Sequence, residues 1–261
     1  MRILPNLAKL VFLGFLAALL IGLTAGFGTK FGWWDFQFGL LKLFPWCIYI
    51  GLGALALGIV WAIAALFANR EKGTAWGLTG LIGAAIVVAF PLYNIYVAKT
   101  VPPIHDITTD TSNPPQFGAA VLKARKAAGA LNSPVYDSKK EITWHDKKVT
   151  VAQATHEAYP DIFMNNAFLG TTPAKLFKRA LKAAKAMGWK IVASDPGTGR
   201  IEASDTTFFF GFTDDIVIRV EPSGMGAKLD IRSESRVGIS DIGKNASRIR
   251  AFKKELAETK S

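Results

Sequence analysis

Three long apolar runs fill the first 98 residues, and they constrain the chain more than anything else in it. They are "LVFLGFLAALLIGLTAGFG" (10–28), "FPWCIYIGLGALALGIVWAIAALFA" (44–68) and "TAWGLTGLIGAAIVVAFPLYNIYVA" (74–98). A bilayer core needs roughly 20 apolar residues per helix, so each run is long enough to cross. Arg2 and Lys9 ahead of the first run resemble the start of a signal peptide. Two further spans follow closely, which favours a retained helix.

The short links set an expected orientation. "NREKG" (69–73) joins runs two and three and carries Arg70 and Lys72. The longer link "TKFGWWDFQFGLLKL" holds Lys30 and Lys42 among aromatic residues suited to the headgroup zone. Arg2, Lys9, Arg70 and Lys72 therefore outnumber Lys30 and Lys42, which predicts a cytoplasmic N-terminus and a domain after run three outside the cytoplasm. No run carries an Asp, Glu, Lys or Arg at mid-membrane, and Thr24, Thr79 and Asn94 are the polar candidates for an interior. Ion and proton paths are usually marked by intramembrane charge, so an anchor is expected rather than a transporter. Gly51, Gly53, Gly77, Gly80 and Gly83 suit close helix packing, and Pro91 is expected to bend the third helix.

From residue 99 onward the composition changes to that of a water-soluble domain, with 25 of the 31 basic residues and 18 of the 20 acidic ones. The expected organisation is a three-helix anchor (1–98), a Pro-rich connector (99–117) and a soluble domain (118–261). Two Pro-Pro pairs make the connector extended and semi-rigid. Short helices are expected at 118–129 and from Val151 to Tyr159, and the rest of 118–157 carries little pattern.

Beyond 171 the signals are clearer. Thr172 is a helix cap, Pro173 a first helical residue and Gly188 a left-handed terminator. Phe177, Ala180, Leu181, Ala184 and Met187 form that helix's apolar stripe. Four strands follow in hairpins, "WKIVASD", "RIEASDTT", "DDIVIRVEP" and "AKLDIRSESRV", with turns at "PGTG" and "SGMG". "FFFGF" (208–212) is expected to pack into the core as a strand, the alternative being an aromatic tip touching membrane or partner. A last helix runs from about Ser240 to Glu258, capped by Ser240 or Asp241. The fold class is α+β: three transmembrane helices, then an antiparallel sheet with helices packed on one face.

"PPIHDITTD…NPPQF", "AYPDI", "MGWKIVASDPGTGRIEA", "FGFTDDIVIRV" and "DIRSESRVGISDIGKNASRIRAF" occur in order across 102–254. In these blocks the chain resembles the domain-of-unknown-function family numbered 1499. The resemblance implies a membrane setting, since members often carry a similar hydrophobic N-terminal part. It implies no activity and supplies no catalytic residues.

Two sets of residues are candidate sites. On the strand before the last helix, alternation puts Leu229, Ile231, Ser233, Ser235 and Val237 on one face, with Asp230, Arg232, Glu234 and Arg236 on a second, solvated face that pairs with Arg219 and Glu221. Asn245 interrupts the last helix's stripe of Ile242, Ala246, Ile249, Phe252 and Leu256, with Arg248 and Arg250 on its flanks. Either Asn245 bonds to a backbone group or to the strand serines and fixes the helix, or Arg232, Ser233, Ser235, Arg236, Asn245 and Arg248 form a polar ligand pocket with arginines to fork a carboxylate or phosphate. The second set is the basic stripe Lys175, Lys178, Arg179, Lys182 and Lys185, either a solvated face or a contact for anionic headgroups.

Enzyme signatures are sparse. His105–Asp106 and His145–Asp146 are isolated pairs, His156 stands alone, Cys47 is the single cysteine, and no nucleophile elbow, zinc helix or phosphate loop is present. No catalytic residue, metal or cofactor is expected. The expected function is that of a bacterial inner-membrane protein whose periplasmic domain binds an envelope protein or anionic lipid, with no nucleic-acid role. The alternative is a small-ligand receptor or hydrolase using the Ser/Asn/Arg pocket. The orientation is checked by reporter fusions at the C-terminus. Alkaline phosphatase is expected to be active there and a cytoplasm-dependent reporter inactive; the reverse pattern contradicts the orientation.

Overall fold

The computed structural model describes residues 3–68 and 73–259. Arg2, Arg70 and Lys72, on which the expected orientation draws, lie outside the described residues. The chain divides into two compact units: Met1–Tyr96 with Thr207–Gly211, and Val97–Thr206 with Phe212–Ser261.

The first unit is built from helices α1 (Ile3–Lys30), α2 (Phe44–Leu66) and α3 (Thr74–Thr100), with a wider π-helical turn, Gln37–Leu43, leading into α2. All three helices are long and apolar enough to cross a membrane. Their contact faces are narrow seams of small residues. On α2 the buried positions are Cys47, Gly51, Ala54, Gly58 and Trp61, a four-three alternation that keeps one stripe facing its neighbours. On α3 they are Gly77, Gly80, Ala84, Val88 and Pro91. At Gly80 a side chain would come within 2.6 Å of the Phe12 backbone nitrogen on α1, so the two helices meet there backbone to backbone. Small residues permit that approach, which supplies the dispersion contact that lipid tails do not provide.

Gly53 departs from this pattern, because nothing lies within 4 Å of the position its side chain would take. Thr24 and Thr79 are exposed on outward faces rather than lining an interior, and Asn94 is half-buried. The Asn94 amide donates to the Phe90 carbonyl one turn back, at 2.8 Å. Ile59, Val60, Ile63, Ile82 and Ile86 are exposed apolar side chains of the same faces, as expected of a surface whose solvent is lipid.

"FFFGF" is not a core strand. The hairpin it belongs to pairs only as far as Thr206↔Thr213, so the phenylalanines lie past the end of the sheet, where there is no core to receive them. They pack instead within the helical unit. The Phe209 ring covers Gly26 and meets Phe27 edge-on at 5.4 Å. Phe210 meets Phe44 at 5.6 Å, and the Lys30 ammonium donates to the Phe208 carbonyl at 2.8 Å.

The second unit centres on an antiparallel sheet. Its strands are β1 (Asp106–Thr108), β4 (Ala167–Leu169), β5 (Lys190–Asp195), β6 (Arg200–Thr206), β7 (Thr213–Ser223) and β8 (Gly226–Ser235). The order is β1-β8-β7-β6-β5, with β4 also on β8, further along the same edge. A separate hairpin, β2 (Glu141–Trp144) and β3 (Lys147–Thr150), precedes α5 (Val151–Ala158). Its turn residues His145 and Asp146 both take positive φ. The pattern around "ITWHDKKVT" does not predict this hairpin, since Asn-Gly or Asp-Gly turns are the usual signal.

Helices α6 (Pro173–Ala186) and α7 (Lys244–Glu258) pack on one face of the sheet. Leu176, Phe177, Ala180 and Ala184 of α6 and Ala246, Ile249, Phe252 and Leu256 of α7 meet Ile201, Ile216, Ile218, Leu229 and Ile231 there. Thr172 accepts from the Lys175 amide and caps α6, and Gly188 takes φ +74° just past its end. The last helix begins at Lys244 rather than near Ser240, because Ile242 and Gly243 both adopt positive φ. Asp241 caps it by accepting from the Gly243 and Asn245 amides, at 2.8 and 2.6 Å.

The second face of the sheet is not solvated. Helix α4 (Ala119–Ala127) and the chain between β1 and α4 lie across it, with Phe117 and Val121 packed on Val217. Asp230, Arg232 and Glu234 are buried in consequence. Alternation on β8 assigns these residues to a face, but what covers that face is set by a segment about 100 positions away.

The seam of the helical unit yields a test. Gly80→Val forces α1 and α3 apart and is expected to destabilise the helical unit by about 1–3 kcal/mol, read as a lower unfolding midpoint in detergent. Gly53→Val, on an open face, is expected to change nothing measurable; equal effects of the two would contradict the seam.

Candidate functional site

The six residues expected to form one polar pocket divide between the two faces of β8. Ser233, Ser235, Asn245 and Arg248 come together on the α7 side. Arg232 and Arg236 lie on the other side, beneath α4 and the connector.

On the α7 side, Asn245 is fully buried in the helix stripe, and every polar atom of its side chain is used. Its Oδ1 accepts from Ser233 Oγ and from Arg248 Nη1, both at 2.6 Å. Its Nδ2 donates to the His105 carbonyl at 2.9 Å and to Ser235 Oγ at 3.1 Å. Arg248 forks onto two carboxylates, Asp205 through Nε and Nη2 (3.1 and 3.0 Å) and Asp214 through Nη2 (2.6 Å). The cluster therefore ties α7 to β8, to the turn before β1 and to the β6–β7 end of the sheet. A buried polar group held this way is stabilising only because the set is complete. Its guanidinium has no free edge left to fork a ligand carboxylate.

On the connector side three guanidiniums meet three carboxylates. Arg232, with no exposed surface, grips Asp106 with Nε and Nη2 at 2.9 and 2.8 Å. It also donates to the Pro134 carbonyl and to Glu234. Arg125 of α4 bridges Asp215 and Glu234 at 2.9 and 2.8 Å. Arg236 forks onto Asp215 at 2.9 and 2.7 Å. The Phe117 ring lies 4.6 Å from the Arg232 guanidinium carbon, a cation–π contact strengthened by exclusion of water. Burial, together with the neighbouring Asp106 carboxylate, pushes Glu234 above the usual carboxylate range against the pull of Arg125 and Arg232. Beside this layer the Gly118 amide donates to buried Glu202, fixing the start of α4.

The basic stripe also divides. Lys175, Lys178, Lys182 and Lys185 are exposed at three-four-three spacing, which places them along one line of α6. Helix α6 contains no acidic residue. Arg179 is diverted inward: it donates to the Leu256 and Thr259 carbonyls at 2.9 and 3.1 Å, closing the C-terminal end of α7.

What the sequence reading missed is the set of partners. Asp106, Arg125 and Asp215 complete the arginine contacts from separations of up to 126 positions, and no local spacing signals such pairs. Among the described residues, no group of three or more His, Cys, Asp or Glu is placed to hold a metal ion.

The pH dependence of the α7 cap is a test. Burial pushes Asp241 up to about 6 from an ordinary 3.8, despite the two amides that favour its charge. Between those values the folded state holds a proton that the unfolded chain releases. Its stabilising contribution is thus complete below 3.8 and lost as pH rises through about 6. Asp241→Asn removes this titration. Wild-type stability, measured against the variant by denaturant titration, is expected to fall across that window and stay level above it; parallel curves would contradict the assignment.

The family model described as Protein of unknown function (DUF1499) matches residues 106–256. No curated protein matches the chain.

Proposed function

We propose that this chain, which belongs to the DUF1499 family of proteins of unknown function, is a membrane-anchored binding protein. Its three apolar helices hold it in a bacterial inner membrane with the N-terminus cytoplasmic. Its α+β unit is periplasmic and binds an anionic lipid surface through α6, without catalysis. The observation that carries this reading is the state of the charges. The arginines of the two β8 clusters are spent on internal carboxylates, whereas Lys175, Lys178, Lys182 and Lys185 are exposed on one line and their side chains bond nothing among the described residues. A lysine near an anionic headgroup layer gains about 1 kcal/mol, so four acting together are enough to orient a domain that is already tethered. The membrane setting fits the same reading, because a tether raises the local concentration of headgroups. A ligand pocket made of Ser233, Ser235, Asn245 and Arg248 has less support, since Ser233, Asn245 and Arg248 already donate to protein acceptors and Ser235 Oγ accepts from Asn245.

The test uses the full chain in nanodiscs of phosphatidylcholine alone or mixed with phosphatidylglycerol, with lysine acylation read by mass spectrometry. Lys175, Lys178, Lys182 and Lys185 are expected to be protected only in the anionic discs, with protection lost as salt screens the contact. Lys139 and Lys148, away from α6, serve as internal references. Equal reactivity of the four in both discs would contradict the lipid reading and favour a protein partner.

A further inference from the structure

A cleft of about 620 Å³ opens on the second unit, away from α6. It is bounded by the segment after β1, His156 of α5, Phe163, the residues leading into β4, and the adjoining ends of β7 and β8. Its size falls within the range of small-molecule sites, and its chemistry selects a class of ligand.

Charge is the first discriminator. The cleft holds one carboxylate, Asp110, and one ammonium, Lys228, and the two pair at 3.0 Å. Asp110 is further committed to Arg219 at 3.3 Å and to the backbone amides of Ser112 and Asn113. Lys228 is further committed to Asp230 at 2.9 Å. An ionic ligand would have to break this set to find a counter-charge.

The uncommitted groups are neutral. The side chains of Ser112, Asn165 and Ser223 line the cleft and make no hydrogen bond among the described residues. Together they offer two hydroxyls and an amide, each able to donate and to accept. Asn165 projects from a left-handed backbone position, φ +59°. One wall is flat: the His156 imidazole stacks on Phe163 with ring centres 3.9 Å apart and planes 13° apart. Thr111 Oγ1, 3.0 Å from His156 Nε2, fixes the ring's rotation.

A flat ring wall beside amide and hydroxyl groups, with no spare charge, matches a molecule that has an apolar C–H face and a rim of hydroxyls. We infer that this cleft binds a neutral saccharide, with a sugar ring lying against His156 and its hydroxyls bonded by Ser112, Asn165 and Ser223. None of these residues lies on α6, so this site and the lysine stripe stand or fall separately.

The test uses the full chain in nanodiscs, free of glycoside detergent, with its histidines isotopically labelled for NMR. The probes are chitobiose and maltose as neutral disaccharides, and glucose 6-phosphate as a charged one. At about 10 mM, tenfold above a millimolar dissociation constant, at least one neutral disaccharide is expected to shift the His156 signal saturably. His105 and His145 are expected to stay in place. Asn165→Gly, which keeps the left-handed backbone, combined with Ser112→Ala is expected to weaken that binding at least about tenfold while His156 keeps its unliganded position. The inference is overturned if neither neutral sugar moves His156, if glucose 6-phosphate binds more tightly, or if the double variant binds undiminished.

Discussion

The second unit depends on one buried guanidinium. Arg232 stands in the longest-paired part of the sheet with no solvent contact, and it holds Asp106 of β1, the Pro134 carbonyl beyond α4, and Glu234 of its own strand. Removing a charge from water costs several kcal/mol, which only a complete set of partners offsets. The partners come from the connector side, so the connector and α4 are not decoration on a finished sheet. They are the lid without which the charged face of β8 would have to stay wet. Arg125 and Arg236, sharing Asp215, extend the same layer toward the end of β7.

The two faces of the sheet thus use opposite chemistry for similar ends. On one, aliphatic side chains of α6 and α7 supply burial, and Asn245 with its four bonds sets the rotation and height of α7. On the other, ion pairs and one aromatic ring clamp an irregular segment with little apolar surface of its own. The first unit follows a third logic, in which small residues bring helices close enough for dispersion to hold them. The shared consequence is that the charges around β8 have structural work, whereas the exposed lysines of α6 have no carboxylate on their own helix.

Much of this was legible from local pattern. Thr172, Pro173 and Gly188 delimit α6 because caps are chemistry between neighbours in sequence. The hydrophobic runs mark α1, α2 and α3 for the same reason, and the alternation of 229–236 assigns each β8 side chain to a face. What local pattern does not contain is what lies over a face. Arg232 and Glu234 read as solvated because Asp106, Phe117 and Arg125 are remote in sequence, and the six-residue pocket crosses a strand whose two faces belong to different layers. "FFFGF" read as core because phenylalanine usually is; the sheet's pairing ends before reaching it. The cleft around His156 and Asn165 has no motif at all, being assembled from five separate segments.

The central claim is that the buried guanidinium–carboxylate layer holds the connector and α4 on the sheet. It is tested most directly by amide hydrogen exchange in an Arg232→Met variant of the full chain. The Thr109 amide bonds to the Ile231 carbonyl, and those of Leu131 and Asn132 to the Arg236 carbonyl, so they report closure of this face. The account predicts that Thr109, Leu131 and Asn132 exchange much faster in the variant while Ile218, in the middle of β7, keeps its protection. Unchanged protection at those three amides would contradict it.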